Sequence, residues 1–272
     1  MKVIILGVSG MLGGYMSRYL GTHHECIDLY RSDFDATELD SSYFKTLIRK
    51  GDVVINCVGI LKPYIDNVGI ANTILINSVF PQMIADICTD RSARFIHISS
   101  DCVFAGKRGQ YTEDDICDAQ DTYGKTKALE PTGAVTLRTS FIGEDISEDG
   151  VGLLQWILSH KNKIIHGYDN CMWNGITCLQ LAKLVNDIIT IHPYPYCLRH
   201  IFSPQVISKY DLCNIVNDIY DLNMKVVKCS AESISWTAID GVLDRSLATK
   251  FPDLLNIPDI RDQLIEQKSY GL

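Results

Sequence analysis

The chain has 272 residues, 46% hydrophobic and 21% charged, an ordinary globular composition that excludes a disordered or fibrous chain. Its formal net charge of −8 comes with no run of Lys or Arg, so a nucleic-acid partner, which needs a basic face against phosphates, is not expected. No apolar run approaches membrane length, and Met1-Lys2 leads straight into Val3–Leu6 with no signal peptide, so a soluble, cytoplasmic protein without a membrane partner is expected. The ten cysteines form no C-x-x-C pair, and several sit in apolar runs; they read as buried free thiols of a reducing compartment. The seven histidines show no metal-ligand spacing, so no metal site is expected.

The elements alternate. Val3–Leu6 is a buried strand by composition and Met11–Leu20 a helix. Glu25–Tyr30 is a second strand, followed by helical spacing over Leu39–Lys50, entered through Asp40 or Ser41. Asp52–Val58 is a third strand, and Ile70–Thr89 a long helix broken or started afresh near Pro81. Ala93–Ser99 is a fourth strand, Thr122–Leu129 a helix and Ala134–Arg138 a fifth strand. This alternation predicts an α/β protein with a Rossmann-type, doubly wound parallel sheet. After about residue 143 the pattern changes. Helices are expected over Gly150–Ser159, Thr177–Thr190 and Ser208–Tyr220, the last with Asp211 placed for a near capping box, and a strand over Ile164–Gly167. The division expected is a dinucleotide-binding domain over 1–145 and a smaller substrate lobe over 146–272, with a soft boundary and segments that can interleave.

The turn Gly7-Val8-Ser9-Gly10-Met11-Leu12-Gly13 joins the first strand to the first helix. The first glycine permits the tight turn, the second lets a pyrophosphate approach the backbone, and the third lets helix pack on strand. The helix N-terminus then offers its free N–H groups to the phosphates. The end of the second strand selects between cofactors. Tyr30-Arg31-Ser32 stands where NAD sites place an acid for the ribose 2′-hydroxyl; Arg31 can instead pair with a 2′-phosphate, and its bland reading is a solvated charge. NADP(H) is therefore favoured, with NAD(H) the alternative if Asp28 ends an earlier-finishing strand.

Tyr123 and Lys127 form the one Tyr-x-x-x-Lys of the chain. Such a pair arises about 0.7 times by chance at this composition, so its weight comes from context. On a helix the two share a face, and the ammonium is expected to lower the phenol pKa towards neutrality. Ser99-Ser100-Asp101 ends the fourth strand, where a hydroxyl can bond a reacting carbonyl.

The stretches Ile98–Phe104, Gly106–Asp114, Tyr123–Lys127 and Leu137–Gly143, with Gly7–Gly13, resemble the dTDP-4-dehydrorhamnose reductase family of extended short-chain dehydrogenase/reductases. The resemblance covers residues 1 to about 145 and continues more weakly through Asp244-Arg245-Ser246. It implies NADPH-dependent reduction of the 4-keto group of a nucleotide-linked 4-keto-6-deoxyhexose, with Ser100 as hydroxyl, Tyr123 as proton donor and Lys127 as its partner. It also implies that Cys57, Val58 and Gly59 line the cofactor, that Asp35 lies where relatives bond the adenine, and that the protein is a homodimer. Asp101, Trp173 and Arg245 are substrate candidates, Trp173 as a stacking platform and Arg245 for a diphosphate. Their bland readings are a buried loop anchor for Trp173, beside a helix cap at Thr177, and a surface salt bridge for Arg245. The family usually has Thr at Ser100 and Tyr at Cys102. These departures, with Cys57–Ile60, resemble a subgroup that acts on UDP-linked 2-acetamido-2,6-dideoxy-4-ketohexoses. A dehydratase is disfavoured, because Cys102 stands where its glutamate would be. An epimerase of the same fold and a non-catalytic NADP-binding regulatory subunit stay open as alternatives.

Overall fold

The computed structural model describes residues 1–145, 150, 152–190, 197–231, 243–251 and 256–271. In chain order the elements are β1 (Val3–Leu6), α1 (Met11–Leu20), β2 (Cys26–Leu29), α2 (Ser41–Leu47), β3 (Val53–Asn56), α3 (Ile65–Val68), α4 (Ile70–Ile74), α5 (Phe80–Arg91), β4 (Arg94–Ser100), α6 (Thr122–Lys127) and β5 (Val135–Thr139). Then come β6 (Phe141–Ile142), α7 (Leu153–Leu158), β7 (Ile164–Tyr168), β8 (Cys171–Trp173), β9 (Ile176–Thr177), α8 (Cys178–Thr190), β10 (Leu198–His200), β11 (Ile207–Ser208), α9 (Lys209–Tyr220), β12 (Lys225–Cys229), β13 (Leu243–Asp244) and α10 (Ile260–Tyr270).

The chain divides into two compact units, and the division does not fall at one point. The first comprises Met1–Val103, Cys117–Arg138 and Ala182–Arg199; the second comprises Phe104–Ile116, Thr139–Leu181 and His200–Leu272.

In the first unit a six-stranded sheet runs in the order β10-β5-β4-β3-β1-β2. The pairs β1–β2, β1–β3 and β3–β4 are parallel, with Val3 opposite Cys26 and Val53, and Val53 opposite Arg94. This is the expected doubly wound sheet. β1 and β3 are buried at every residue, the pattern of strands covered by helices on both faces. Ile4, Leu6, Val54 and Phe95 pack with Phe44, Phe80, Ile84 and Cys88 from the helices. Helix α2 opens where the cap was expected: Asp40 Oδ1 accepts from the Ser42 amide at 2.9 Å. It stops earlier, at Leu47, because Ile48 leaves the helix in extended backbone (ψ 128°) and is buried.

The break expected near Pro81 takes a different form. The chain stays helical from Ile70 to Arg91, and Leu75–Val79 widens into one π-helical turn just before the proline. A proline ring collides with the carbonyl four residues earlier, here that of Asn77, and a π-turn relieves the collision without ending the helix. By length and composition Ile70–Arg91 could cross a membrane, with 22 residues and mean hydropathy 1.2, but half of it is buried within the unit and Asn72, Asn77, Gln82 and Asp86 interrupt its apolar positions.

The second unit builds its core from Ile142, Leu154, Ile157, Ile165, Trp173, Leu212, Val216, Ile260 and Leu264. Its small sheets pair β12 with β7 in parallel and run β11-β8-β13. Ser208 and Asp211 form the full capping box of α9: Ser208 Oγ accepts from the Asp211 amide at 3.0 Å, and the Asp211 carboxylate accepts from the Ser208 amide at 3.3 Å. The helix expected from Gly150 begins at Leu153, and Val151 lies outside the described residues. Thr177 caps α8 by accepting from the Gln180 amide at 3.1 Å. All ten cysteines are free thiols, and Cys88, Cys171, Cys178 and Cys213 are buried.

Candidate active site

In an open sheet the crevice forms where strand order reverses, beyond the carboxyl ends of the strands. Here that point lies between β1 and β3. A cleft of about 460 Å³ opens there, lined by Gly7, Ser9 and Gly10 after β1, by Arg31, Phe34 and Asp35 after β2, and by Cys57, Val58 and Gly59 after β3.

The three glycines of the first turn meet different demands. Gly7 has φ of +85°, and a Cβ there would lie 2.9 Å from Val58 Cγ2. A Cβ on Gly13 would lie 2.2 Å from the Gly7 carbonyl oxygen, so α1 could not seat on the turn. Gly10 differs: its φ of −86° suits any residue, and a Cβ would make only an ordinary 3.5 Å contact with Gly7 O. The protein's own packing does not require a glycine at Gly10, which is exposed to the cleft. As N-cap it lends no side chain to the first amides of α1, those of Met11, Leu12 and Gly13. A bare helix N-terminus beside a glycine that only an outside group needs is a fit to a phosphate.

The end of β2 resolves the choice between Asp28 and Arg31 as cleft residue. The strand runs to Leu29, and Asp28 in its middle accepts a hydrogen bond from Ser17 Oγ on α1. Asp28 therefore faces the helix, and Arg31 lines the cleft. Beside it the Asp35 carboxyl is held below its usual range, first by the Thr37 hydroxyl at 2.7 Å, then by the Thr37 amide at 2.8 Å, with Arg31 adding to the effect.

Ser100, Tyr123 and Lys127 all belong to the first unit. Ser100 ends β4, and its Oγ accepts from the Cys102 amide at 3.1 Å and donates to Asp101 Oδ1 at 3.3 Å. Tyr123 and Lys127 stand on α6, entered at Asp121, whose Oδ1 accepts from the Gly124 amide at 2.9 Å. Gly124 is required because a Cβ would lie 2.4 Å from both the Cys102 carbonyl oxygen and Ala119 Cβ; the helix is thus pressed onto the turn that follows Ser100. The Ser100 hydroxyl hydrogen-bonds the Tyr123 side chain. Lys127 is buried, and its Nζ donates to Ile98 O at 2.9 Å. A Cβ on Gly59 would come within 3.9 Å of that nitrogen, so the lysine connects the cleft to the serine–tyrosine pair.

The electrostatics differ from the expectation for the tyrosine. Burial pushes the Tyr123 phenol above its ordinary value, Cys102 adds to this, and the Ser100 hydrogen bond is the opposing effect. Lys127 is not among the groups that act on it; the ammonium acts instead on Cys57 and His97. Burial lowers Lys127 itself to about 8. A raised phenol keeps its proton at neutral pH, as a donor must. The Cys57 thiol is pushed up to about 12 by burial and is not a nucleophile.

Two substrate candidates lie in the second unit. Trp173 is 4% exposed, donates from Nε1 to Ser140 Oγ at 2.8 Å and lies in that unit's core. Stacking on a ligand is overturned for it by burial; it is a loop anchor. Arg245 donates from Nε to Phe104 O at 2.8 Å and so secures the loop that follows β4. Asp101 is 7% exposed in the turn after Ser100.

Sequence reasoning missed Asn77. Its Oδ1 accepts from the Ile60 amide at 2.8 Å, and its Nδ2 donates to Ile60 O at 3.1 Å and to Thr126 Oγ1 at 3.1 Å. One buried amide thus ties the loop after β3 to the helix of Tyr123 and Lys127. The signal was present, since Asn77 is a polar residue inside the apolar run Ile74–Phe80. Asn56 was missed likewise: its Oδ1 accepts from the Val58 amide at 3.0 Å, and its Nδ2 pairs with the buried His97 ring at 3.1 Å. Burial, aided by Lys127, holds His97 well below its ordinary pKa, so it is neutral.

A doubly wound sheet with a glycine turn at its crevice and a Ser/Tyr/Lys set beside it defines the class of dinucleotide-binding α/β proteins. Residues 1–140 match the model of the RmlD substrate binding domain. The chain is similar to a dTDP-4-dehydrorhamnose reductase from Aggregatibacter actinomycetemcomitans, at 25% identity over 80% of this chain and 78% of the relative. It is 29% identical to a dTDP-4-keto-6-deoxy-D-glucose reductase from Streptomyces niveus, where the match spans 46% of this chain and only 44% of the relative. Its fold is that of a dTDP-4-dehydrorhamnose reductase from Bacillus anthracis solved in complex with NADP, with a TM-score of 0.84, 17% identity and 99% of both chains covered. The chain belongs to the RmlD substrate-binding domain family.

Proposed function

We propose that the protein is an NADPH-dependent reductase of the C4 keto group of a nucleotide-linked 4-keto-6-deoxyhexose. The observation that carries this reading is the meeting of Ser100, Tyr123 and Lys127 at the carboxyl end of β4, with the Lys127 ammonium reaching towards Gly59 in the cleft lining. Its relatives' names, both reductases of dTDP-linked keto sugars, support the substrate class. Arg31 and Asp35, neighbours in the cleft, support an adenosine there, with Arg31 to pair with a phosphate on its 2′-oxygen.

A nicotinamide dinucleotide, when bound, supplies the hydride. Gly7, Ser9, Gly10 and the first amides of α1 would hold its phosphates, and Cys57, Val58 and Gly59 its sides. The chain's own chemistry is proton and charge handling. Ser100 Oγ hydrogen-bonds the substrate carbonyl oxygen and polarises it. Tyr123 gives that oxygen its proton as negative charge develops, and the Lys127 ammonium, beside Gly59 in the cleft lining, would hold the ribose of the dinucleotide.

The test is NADPH oxidation at 340 nm with 4-keto-6-deoxy sugars generated from dTDP-glucose, UDP-glucose and UDP-N-acetylglucosamine, with NADH in parallel. Turnover of one sugar names the substrate, and the UDP-linked acetamido sugar is the one that Ser100 and Cys102 favour. NADPH binding without oxidation of any sugar would sink the reductase reading and leave a regulatory subunit or an epimerase. Arg31→Ala is expected to raise KM for NADPH by about 10- to 100-fold with little change for NADH, since it removes a charge-assisted contact to the 2′-phosphate alone.

Lys127 sets a pH limit. The group is cationic below about 8 and neutral above it. The ammonium that would hold the dinucleotide is therefore present at neutral pH and is lost on raising the pH. kcat/KM for reduction is expected to fall as pH rises through about 8, and a profile flat to pH 9.5 would remove Lys127 from the role.

A further inference from the structure

The segment from Gly59 to Gly69 supplies Gly59, Ile60, Asn67 and Val68 to the cleft lining. It is held at both ends. At its root Asn77 bonds both the amide and the carbonyl of Ile60, and at its far end Gly69 separates α3 from α4 with φ 84° and ψ 151°, a conformation that favours glycine. A Cβ on Gly69 would meet nothing within 4 Å, so backbone conformation alone calls for the glycine there. The middle of the segment carries one ion pair: Lys62 Nζ donates to Asp121 Oδ2 at 2.9 Å. The other oxygen of the same carboxylate caps α6 through the Gly124 amide. Asp121 is two residues from Tyr123, and its charge is among those that raise the phenol. One carboxylate thus caps the helix that carries Tyr123 and Lys127, grips the cleft wall, and acts on the proton donor.

We propose that Lys62 is a positioning residue, coupling the Gly59–Gly69 wall of the cleft to the N-terminus of the helix that carries Tyr123, so that a nucleotide in the cleft and the proton donor are ordered together. The inference rests on the proposed roles of the cleft and of Tyr123. Without the Lys62 ammonium the wall keeps its anchors at Ile60 and Gly69 and its core packing at Ile65 and Val68, but loses its ion pair to the residue that caps the helix. Both side chains are about two-fifths exposed, so the pair is worth a factor of roughly 1.5 to 5 in an opening equilibrium, and salt weakens it.

The test is amide hydrogen exchange of the wild type, Lys62→Gln and Lys62→Arg, each with and without NADPH, together with NADPH release by stopped flow. In Lys62→Gln the amides of 60–69 and of 122–127 are expected to exchange two- to fivefold faster together, and NADPH to leave faster by a similar factor. Lys62→Arg should behave as wild type, and 0.5 M NaCl should bring the wild type towards Lys62→Gln. Exchange unchanged in Lys62→Gln, or quickened in 60–69 alone, would overturn the coupling. A wild type whose cleft amides NADPH does not slow would overturn the cofactor reading on its own, while the variants without NADPH still decide whether Lys62 joins the wall to the helix.

Discussion

Tyr123→Phe is expected to lower kcat for keto-sugar reduction by about 10²- to 10⁴-fold while NADPH still binds with near wild-type affinity, as removal of a positioned proton donor does. The substitution removes one hydroxyl and keeps the ring. The lost oxygen is hydrogen-bonded by Ser100, whose Oγ still has the Cys102 amide and Asp101 as partners, so the Ser100 turn keeps its shape. Its burial makes the phenol a weak acid, so no step of the reading needs a phenolate in the resting protein. Steady-state kinetics with the sugar identified by the panel, beside fluorescence titration of NADPH, separate the two effects. Activity within a few-fold of wild type would end the proton-donor assignment.

The second large effect divides the glycines of the first turn by what each one serves. Gly13→Ala should damage the fold itself, because its new methyl would lie 2.2 Å from the Gly7 carbonyl oxygen, a backbone atom that cannot swing aside. A loss of about 3 kcal/mol is expected, lowering Tm by roughly 6–12 °C. Gly10→Ala should lower Tm by no more than about 4 °C, because the methyl makes only a 3.5 Å contact and replacing an N-cap glycine by alanine costs about 1 kcal/mol. Its NADPH affinity should nevertheless fall at least about tenfold, as the methyl occupies the place where a pyrophosphate approaches. Thermal melts and NADPH titrations of the two variants check this split. A Gly10 variant that binds NADPH normally would remove the phosphate from the turn.

Much of the first unit was legible because its signals are local. A buried parallel strand is a short β-branched run, and Val3–Leu6 and Val53–Asn56 stand out as such. Helix entries at Asp40 and Ser208 could be named because capping is a relation between residues two or three apart. The triad and the glycine turn were likewise readable from spacing. What escaped depends on contacts distant in sequence. Asn77 acts on Ile60, 17 residues away, and on Thr126, 49 residues away, and no periodicity signals such a clamp. The π-turn before Pro81 is a compromise between a proline clash and the packing of Ile76 and Phe80, so a broken helix was the natural expectation. Trp173 fails as a stacking residue for the same kind of reason: Ser140, 33 residues earlier, holds its ring inside a core.

The interleaving of the two units bears on how the chain can be cut. A fragment ending near residue 145 would hold the glycine turn, the cleft and the Ser/Tyr/Lys set, yet it would lack Ala182–Arg199, which the first unit also needs. That missing piece brings the last part of α8 and most of β10, whose approach is marked by the bond from the Thr136 amide to Cys197 O at 3.0 Å. Without it β5, buried at all five residues, becomes the bare edge of the sheet. Such an edge invites strand addition from neighbouring molecules. The fragment is expected to aggregate at concentrations where the full chain stays dispersed, and adding residues 182–199 as a separate peptide should suppress this. Loss of the second half would strip the six-stranded sheet for the same reason: the chain beyond residue 145 contributes its β10 edge strand.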